Sequence, residues 1–234
     1  MKNYNKEAII LCIGLIIMGA CIADGLTSAF QSDRIVTVKG LSEREVPADK
    51  VTWPLVYKEL GNEPAEMYNR LATKNRQVID FLKEKGISEN EISESAIQVS
   101  DRQADSYDQN NILYRYKATS VITVTSSQVE LIRKIMQSQS ELMKMGIALI
   151  TEEYGTNTVK YEFTGLNEIK PDMIEESTKN ARATAEKFAK DSDSKLGKIR
   201  KASQGQFSID NRDANTPYIK HVRVVTTIDY SLKN

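Results

Sequence analysis

The chain has 234 residues, and its 32 Lys and Arg are balanced by 32 Asp and Glu, so the formal net charge is zero. Acids and bases are interspersed, which argues against the basic stripe of a nucleic-acid binder and the acidic tract of a disordered tail. The length suffices for one or two domains with a hydrophobic core.

Residues 1–31 differ from everything after them. Lys2 and Lys6 precede Ala8 to Ala23, an uncharged run of roughly sixteen residues against the ~20 that a full membrane span needs. Extending the span over residues 8–30 lengthens it and places Asp24 near the outer interface. Three fates are open. An uncleaved anchor with its N-terminus inside fits the lysines ahead of the run, with no basic residue following until Arg34. Cleavage after Ala23 or Ala29 is the second, and a lipid-modified Cys21 in Met18-Gly19-Ala20-Cys21 the third. All three export residues 32–234 from the cytoplasm. Both cysteines, Cys12 and Cys21, fall inside the run, so the exported part has no thiol for a disulfide, a zinc site or a nucleophile.

After the polar joint Gln31–Arg34, short β-type runs come first: Ile35 to Lys39, Ser42 to Val46 and Val51 to Leu60. Gly40 and the Pro47-Ala48-Asp49 corner punctuate them as turns, and Trp53-Pro54 marks an edge strand or a bulge. A helix follows, capped by Asn62 and stopped at Gly86, with Met67, Leu71, Val78, Phe81 and Leu82 on its inner side. The stretch Ile87 to Ser95 reads as turn. Ile97 to Arg102 and Leu113 to Thr125 read as a hairpin around the loop Asp105 to Asn111. Tyr116, Ala118, Ile122 and Val124 share one face of it.

A second helix opens with the capping box Ser127/Glu130, buries Val129, Ile132, Met136 and Met143, and ends at Gly146. Ile147 to Ile150 and Val159 to Phe163 are strand candidates. A third helix runs from Pro171-Asp172 to Gly197 with Ile174, Ala181, Ala185 and Phe188 inward. Final strands, Ile199 to Ile209 and Tyr218 to Tyr230, flank an Asp/Asn-rich loop. In the last of them Val222, Val224, Ile228 and Tyr230 share one face, while His221, Arg223 and Asp229 share the other. The pattern is an α+β fold: antiparallel sheet with about three helices on one face, in repeated strand–helix–strand units, forming one domain over residues 32–234.

Four stretches carry a family resemblance: IVTVKGLSEREVPADKV, the helix end FLKEKGI with ENEI after it, YRYKATSVITVTS, and KNARATAEKFAKDSDSKLGKI. Together they resemble the SIMPL-domain family, which includes the YggE-like proteins of bacterial envelopes, over nearly all of the chain from about Arg34 to Leu232. The resemblance implies an exported α+β protein, ring-like or channel-like oligomers in some members, and a link to oxidative-stress protection. It brings no catalytic residues with it.

Chemistry is sparse in the residues themselves. His221 is the single histidine and lies on a polar strand face beside Lys220 and Arg223, so it reads as a surface residue. No G-x-S-x-G elbow supports a serine triad and no GxxxxGK[ST] loop occurs. The pairs Glu152-Glu153 and Glu175-Glu176 diverge on either a strand or a helix. The loop with Asp105 and Asp108 lacks the glycine and terminal glutamate of a calcium site. No catalytic, cofactor or metal site is therefore expected, and the chain reads as a non-enzyme. Tyr107, Tyr114, Tyr116, Tyr154 and Tyr161, with the edge at Trp53, are the candidate contact residues for a homo-oligomer. The leading expectation is a membrane-anchored envelope protein that self-assembles; the alternative is a monomeric envelope module that binds a small ligand or a partner protein.

Overall fold

The computed structural model describes residues 5–31, 34–105, 113–150 and 157–233. Two compact units emerge: Met1–Arg44, Glu168–Ser208 and Val222–Asn234 form the first, and Glu45–Asn167 with Ile209–His221 the second. The elements in chain order are α1 (Asn5–Gln31), β1 (Ile35–Pro47), β2 (Lys50–Gly61), α2 (Pro64–Glu84), β3 (Ile92–Glu94), β4 (Gln98–Asp101), α3 (Arg102–Asp105), β5 (Tyr116–Ser126), α4 (Val129–Gln137), α5 (Ser140–Lys144), β6 (Lys160–Glu162), α6 (Leu166–Asp191), β7 (Lys195–Gln204), β8 (Ser208–Asn211) and β9 (Ile219–Lys233). The α+β class with antiparallel sheets is as expected, and α2, α4 and α6 are the three anticipated helices.

Helix α1 is predominantly apolar from Ala8 to Leu26, with Asp24 near its end, a stretch of 19 residues long enough to cross a membrane, and none of it is buried against the rest of the chain. An anchor and a signal sequence share that property.

The first unit is built on the order β1-β9-β7. Alternate residues of β9, Val222, Val224, Thr226, Ile228 and Tyr230, are buried, as its period of two requires. Against them α6 turns Met173, Ser177, Ala181, Ala185 and Ala189, a ladder of spacing four. The small residues have a reason. Gly40 is not a turn: β1 runs unbroken through it, and a Cβ there would overlap the Ser177 carbonyl oxygen and lie 2.5 Å from the Ala181 nitrogen. Strand and helix backbones touch at this point, so only glycine fits on the strand and only small side chains fit on the helix. Polar bonds fasten the seam on either side. The Ser177 and Thr226 hydroxyls are 2.7 Å apart, the Asn180 amide donates to the Leu41 carbonyl at 2.8 Å, and the Ser42 hydroxyl donates to Glu176 at 2.8 Å.

Three expectations about this unit are corrected. Helix α6 begins at Leu166 and takes Pro171 into its body, and it ends at Asp191 instead of Gly197. Gly197 lies in β7, where a Cβ would overlap the Ser231 hydroxyl. Phe188 is 57% exposed because the ladder of spacing four continues through Ala189. The charged run of β1 lies at the surface and is engaged in ion pairs within its unit: Glu43 pairs with Arg223 at 3.2 Å, and Arg44 with Asp172 and Glu176 at 3.7 and 3.8 Å. β1 is the end strand of its sheet.

The second unit carries the order β3-β5-β2-β6, with β4 also paired to β5. β2 and β5 pair without a break from Val51 opposite Ser126 to Gly61 opposite Tyr116. β6 covers only Lys50 to Thr52 on the other side of β2. β2 lies between β5 and β6 and is not an edge strand, but Pro54 falls just past the end of β6, where no ladder bond is asked of its nitrogen, so neither an edge strand nor a bulge is needed. α2 covers the sheet with Met67, Leu71, Val78, Phe81 and Leu82, and α4 adds Val129, Ile132 and Ile135. The hairpin of β4 and β5 pairs Val99 with Ala118.

Local signals misled at several helix ends here. Asn62 does not cap α2, whose N-cap is Glu63; its side chain accepts the Arg115 N–H at 2.9 Å instead. The Ser127/Glu130 box does not form, because the Ser126 hydroxyl takes the Gln128 N–H at 3.0 Å and Glu130 turns to Arg133. The long second helix breaks into α4 and α5, which buries Leu142 and leaves Met143 65% exposed. Ile147 to Ile150 is not a strand, although the Ile150 N–H donates to the Val56 carbonyl at 2.8 Å. The turn-like stretch after Gly86 contains β3, and the strand expected over Ile199 to Ile209 divides into β7 and β8.

Gly40→Ala is expected to cost about 3 kcal/mol, the upper end for overpacking, read from the urea midpoint. A gain of about 0.4–1 kcal/mol, the usual benefit of alanine where only unfolded-state entropy matters, would mean that β1 and α6 are not in backbone contact.

Candidate functional site

Of the tyrosines expected at contacts, the structure brings one into an aromatic group. Tyr161 on β6 meets Tyr218, just ahead of β9, edge to face with ring centroids 6.2 Å apart at 69°. The Arg133 guanidinium from α4 lies 3.4 Å over the Tyr218 ring while also bonding Glu130 at 2.8 Å. The Tyr161 hydroxyl donates to the Met136 sulfur at 3.7 Å. Burial pushes the Tyr161 phenol up, Arg133 opposes that shift, and Glu130 and Tyr218 add to it.

Tyr218 is fixed because its carbonyl accepts the Ala48 N–H at 2.9 Å, which docks the strand start on the Pro47–Ala48 corner. Between that corner, the Tyr218 ring and the first turn of α4 lies an open cleft of about 390 Å³, lined also by Gln128, Val129, Glu130 and Leu131. Its polar and apolar walls suit a partner side chain or a small molecule with a flat amphipathic face.

The other candidates are placed elsewhere. Tyr114 is 41% exposed, and Tyr116 is half-buried with the Arg115 guanidinium 5.0 Å over its ring. Arg115 also holds Asp101 through bonds of 2.7 and 3.0 Å, and these keep the Asp101 carboxyl below its ordinary range. Trp53 is corrected: at 4% exposure it is a core residue of β2, because the inward phase of the strand runs through Val51, Trp53, Leu55 and Tyr57. Tyr107 and Tyr154 lie outside the described residues, as do Asp108, Glu152 and Glu153. Tyr218 and Arg133, which complete the cluster, were not singled out from sequence. A Tyr at the head of a strand and an Arg on an amphipathic helix carry no signal of their own until the fold joins them.

A second polar group is buried. The Tyr57 and Ser120 hydroxyls both donate to the Asn75 carbonyl oxygen, Ser120 at 2.9 Å, and the Asn75 amide donates to Glu94. Tyr57 and Ser120 face each other across β2 and β5. Burial is the main cause that pushes the Tyr57 phenol up to about 12, with the Ser120 bond pulling it down and Glu94 pushing it further up. This group holds its proton through neutral pH and acts as a hydrogen-bond hub tying α2 to the sheet. Asn75 and Ser120 were legible in principle, since each is a polar residue at an apolar-phase position.

The remaining chemistry-bearing residues stay apart. His221 is half-buried on β9 and engaged within the chain. Lys220 is buried, its ammonium bonded to the Asn211 carbonyl oxygen; burial lowers its pKa, and Glu162 and Asp210 raise it. Glu175 turns to Lys179 at 2.5 Å and Glu176 to Ser42, so that pair diverges as expected. Among the described residues no three His, Cys, Asp or Glu side chains converge where a metal ion could sit.

Comparison with protein families matches residues 36–226 to SIMPL, described as a protein of unknown function (DUF541). Comparison with curated proteins gives no match.

The Tyr57 proton sets a pH dependence. Its folded-state pKa lies above the ordinary 10.0, so the stability it contributes is complete below pH 10 and is lost as pH rises toward about 12. Tyr57→Phe is expected to flatten the difference curve of stability against pH in that window. An unchanged alkaline slope would place the phenol in solvent.

Proposed function

The chain belongs to the SIMPL family, a family of unknown function, and from that premise we propose that it is a non-enzymatic, membrane-anchored protein of the cell envelope that self-assembles. In this reading α1 stays in the membrane as an uncleaved anchor, and residues 32–234 work on the extracytoplasmic side. The observation that carries assembly is the open cleft lined by Tyr218, the residue that Arg133 and Tyr161 hold from behind. Tyr is among the residue types that dominate interface energetics, and Val129 and Leu131 add apolar lining beside it. The ring-like oligomers implied by the family resemblance supply the occupant, a second copy of the chain, and the same resemblance supplies a role in envelope or oxidative stress. The buried polar side chains favour a non-enzymatic role, since those at Tyr57, Asn75 and Ser120 are used up in bonding one another.

A second reading is favoured by one number. A cleft of about 390 Å³ falls within the ~300–1,000 Å³ of small-ligand sites, which suits a monomeric envelope module binding a small ligand or a partner protein.

Light scattering of the detergent-solubilised chain over a concentration series separates the two. A discrete species larger than a monomer is expected, and Gln128→Arg, an exposed change that fills the cleft, is expected to return it to monomer with an unchanged melting temperature. A monomer at every concentration excludes self-assembly and leaves the ligand-binding reading.

A further inference from the structure

One end of the first unit's sheet gathers basic residues, among them lysines that face each other across the ladder. Arg34 stands at the entry to β1, and its carbonyl accepts the Leu232 N–H at 2.8 Å, next to Lys233 at the end of β9. Lys233 in turn lies directly opposite Lys195, the first residue of β7. Like charges facing each other across adjacent strands are destabilising, so this pair works against the sheet that carries it. The run continues along β7 with Lys198, Arg200 and Lys201, and no acid occurs from Ser194 to Ile209. Among the described residues Lys195, Lys198, Lys201 and Lys233 have no ion-pair partner. In sequence the run is flanked by Asp193 and Asp210, and across the ladder it meets Asp229. Asp229 faces Lys201, so the counter-charge it supplies falls at the far end of the run from Lys195 and Lys233; its carboxylate also accepts the Thr37 hydroxyl at 2.7 Å. β7 is exposed along almost its whole length, with Ile199 open among the cations.

The same end of the sheet is where the chain arrives from α1. Only two residues separate Gln31 from Arg34, so Arg34 stands within about 11 Å of the helix end, at ~3.6 Å per residue. Two strand spacings, about 10 Å, carry the row from β1 to β7. With α1 in a membrane, Arg34, Lys233 and Lys195 are held at the level of the headgroups.

From this placement we infer that the edge formed by Arg34, Lys233, Lys195 and Lys198 docks on the anionic phospholipid surface of the membrane that holds α1. The inference rests on the anchored reading of α1. A phosphodiester headgroup supplies the negative charge that the Lys195–Lys233 pair lacks within the chain, and Ile199 adds apolar contact at the interface. Docking would fix the orientation of the first unit on the bilayer, which a single spanning helix with a short joint leaves free to rotate.

The test uses the full chain reconstituted into phosphatidylcholine vesicles with and without phosphatidylglycerol, with lysine acylation rates read residue by residue by mass spectrometry. Lys195, Lys198 and Lys233 are expected to react roughly fivefold more slowly over phosphatidylglycerol, the factor equivalent to about 1 kcal/mol per basic residue near an anionic surface. High salt is expected to remove the protection. Lys195→Gln is expected to weaken protection at Lys198 and Lys233 while leaving stability unchanged or slightly higher, which a structural role for Lys195 would not allow. Equal rates in the two membranes overturn the inference. Equal protection by dissolved polyphosphate over neutral vesicles also overturns it, by assigning the edge to soluble polyanions. Alkaline extraction reads the anchor separately. If the chain is released from both membranes the anchor fails, and flotation of the released chain with phosphatidylglycerol vesicles alone still supports the docking edge, whereas no flotation overturns it.

Discussion

The first unit depends on one steric fact, the backbone contact between β1 at Gly40 and α6 at Ser177 and Ala181. At that separation the helix can present only small side chains, which explains Ser177, Ala181, Ala185 and Ala189 in one ladder. Such a seam buries little apolar area per residue, so close packing and short polar bonds take over part of what large side chains do elsewhere. The bonds of Ser177 to Thr226, Asn180 to Leu41 and Ser42 to Glu176 are the corresponding polar fasteners. The apolar cluster of this unit is correspondingly small: Val38, Ala181, Ala185, Ile228 and Tyr230.

The second unit meets the same requirement by the opposite means. Its core holds Trp53, Leu55, Met67, Leu71, Phe81, Leu82 and Ile122, large residues on a long uninterrupted pairing of β2 with β5. A polar hub sits inside that apolar interior, and it can do so because Asn75 offers both an acceptor and a donor to its neighbours. Fully bonded, such a hub adds register specificity between helix and sheet; half-bonded, it would cost more than an apolar replacement.

How far the sequence could be read follows from which signals are local. The alternation in β9 and the stripe Met67, Leu71, Val78, Leu82 depend on each element's own period, and they were legible. Gly40 was not. A glycine between two β-type runs marks either a turn or a close approach, and only the helix placed against it, more than a hundred residues later, decides which. The start of α6 was hidden for a similar reason. Pro171 is the local signal, but the N–H groups of Thr164 and Gly165 are satisfied at 2.8 Å by Asp49, on the other side of the chain's order. Trp53 looked like a contact residue because a proline beside it signals an edge, yet β2 is not an edge strand and burial follows the phase of the side chain. The site suffered most. Tyr161 was singled out, whereas Tyr218 and Arg133 acquire meaning only from being next to it.

The two proposed contacts fall on different units, and the chain's path makes that separation consequential. The boundaries at Arg44/Glu45, Asn167/Glu168, Ser208/Ile209 and His221/Val222 mean that neither unit is a contiguous piece of sequence. Three of those boundaries fall inside β1, β8 and β9, so removing either unit by truncation would cut a strand and leave unpaired ladder groups in the remainder. A charge balance of zero over the whole chain likewise hides a division, with the cations of β7 in the first unit and the aromatic cleft in the second. Membrane docking and self-assembly can therefore be separated only by surface substitutions. The exposed positions Lys195 and Gln128 allow this because neither contributes to a core that its own unit needs in order to fold.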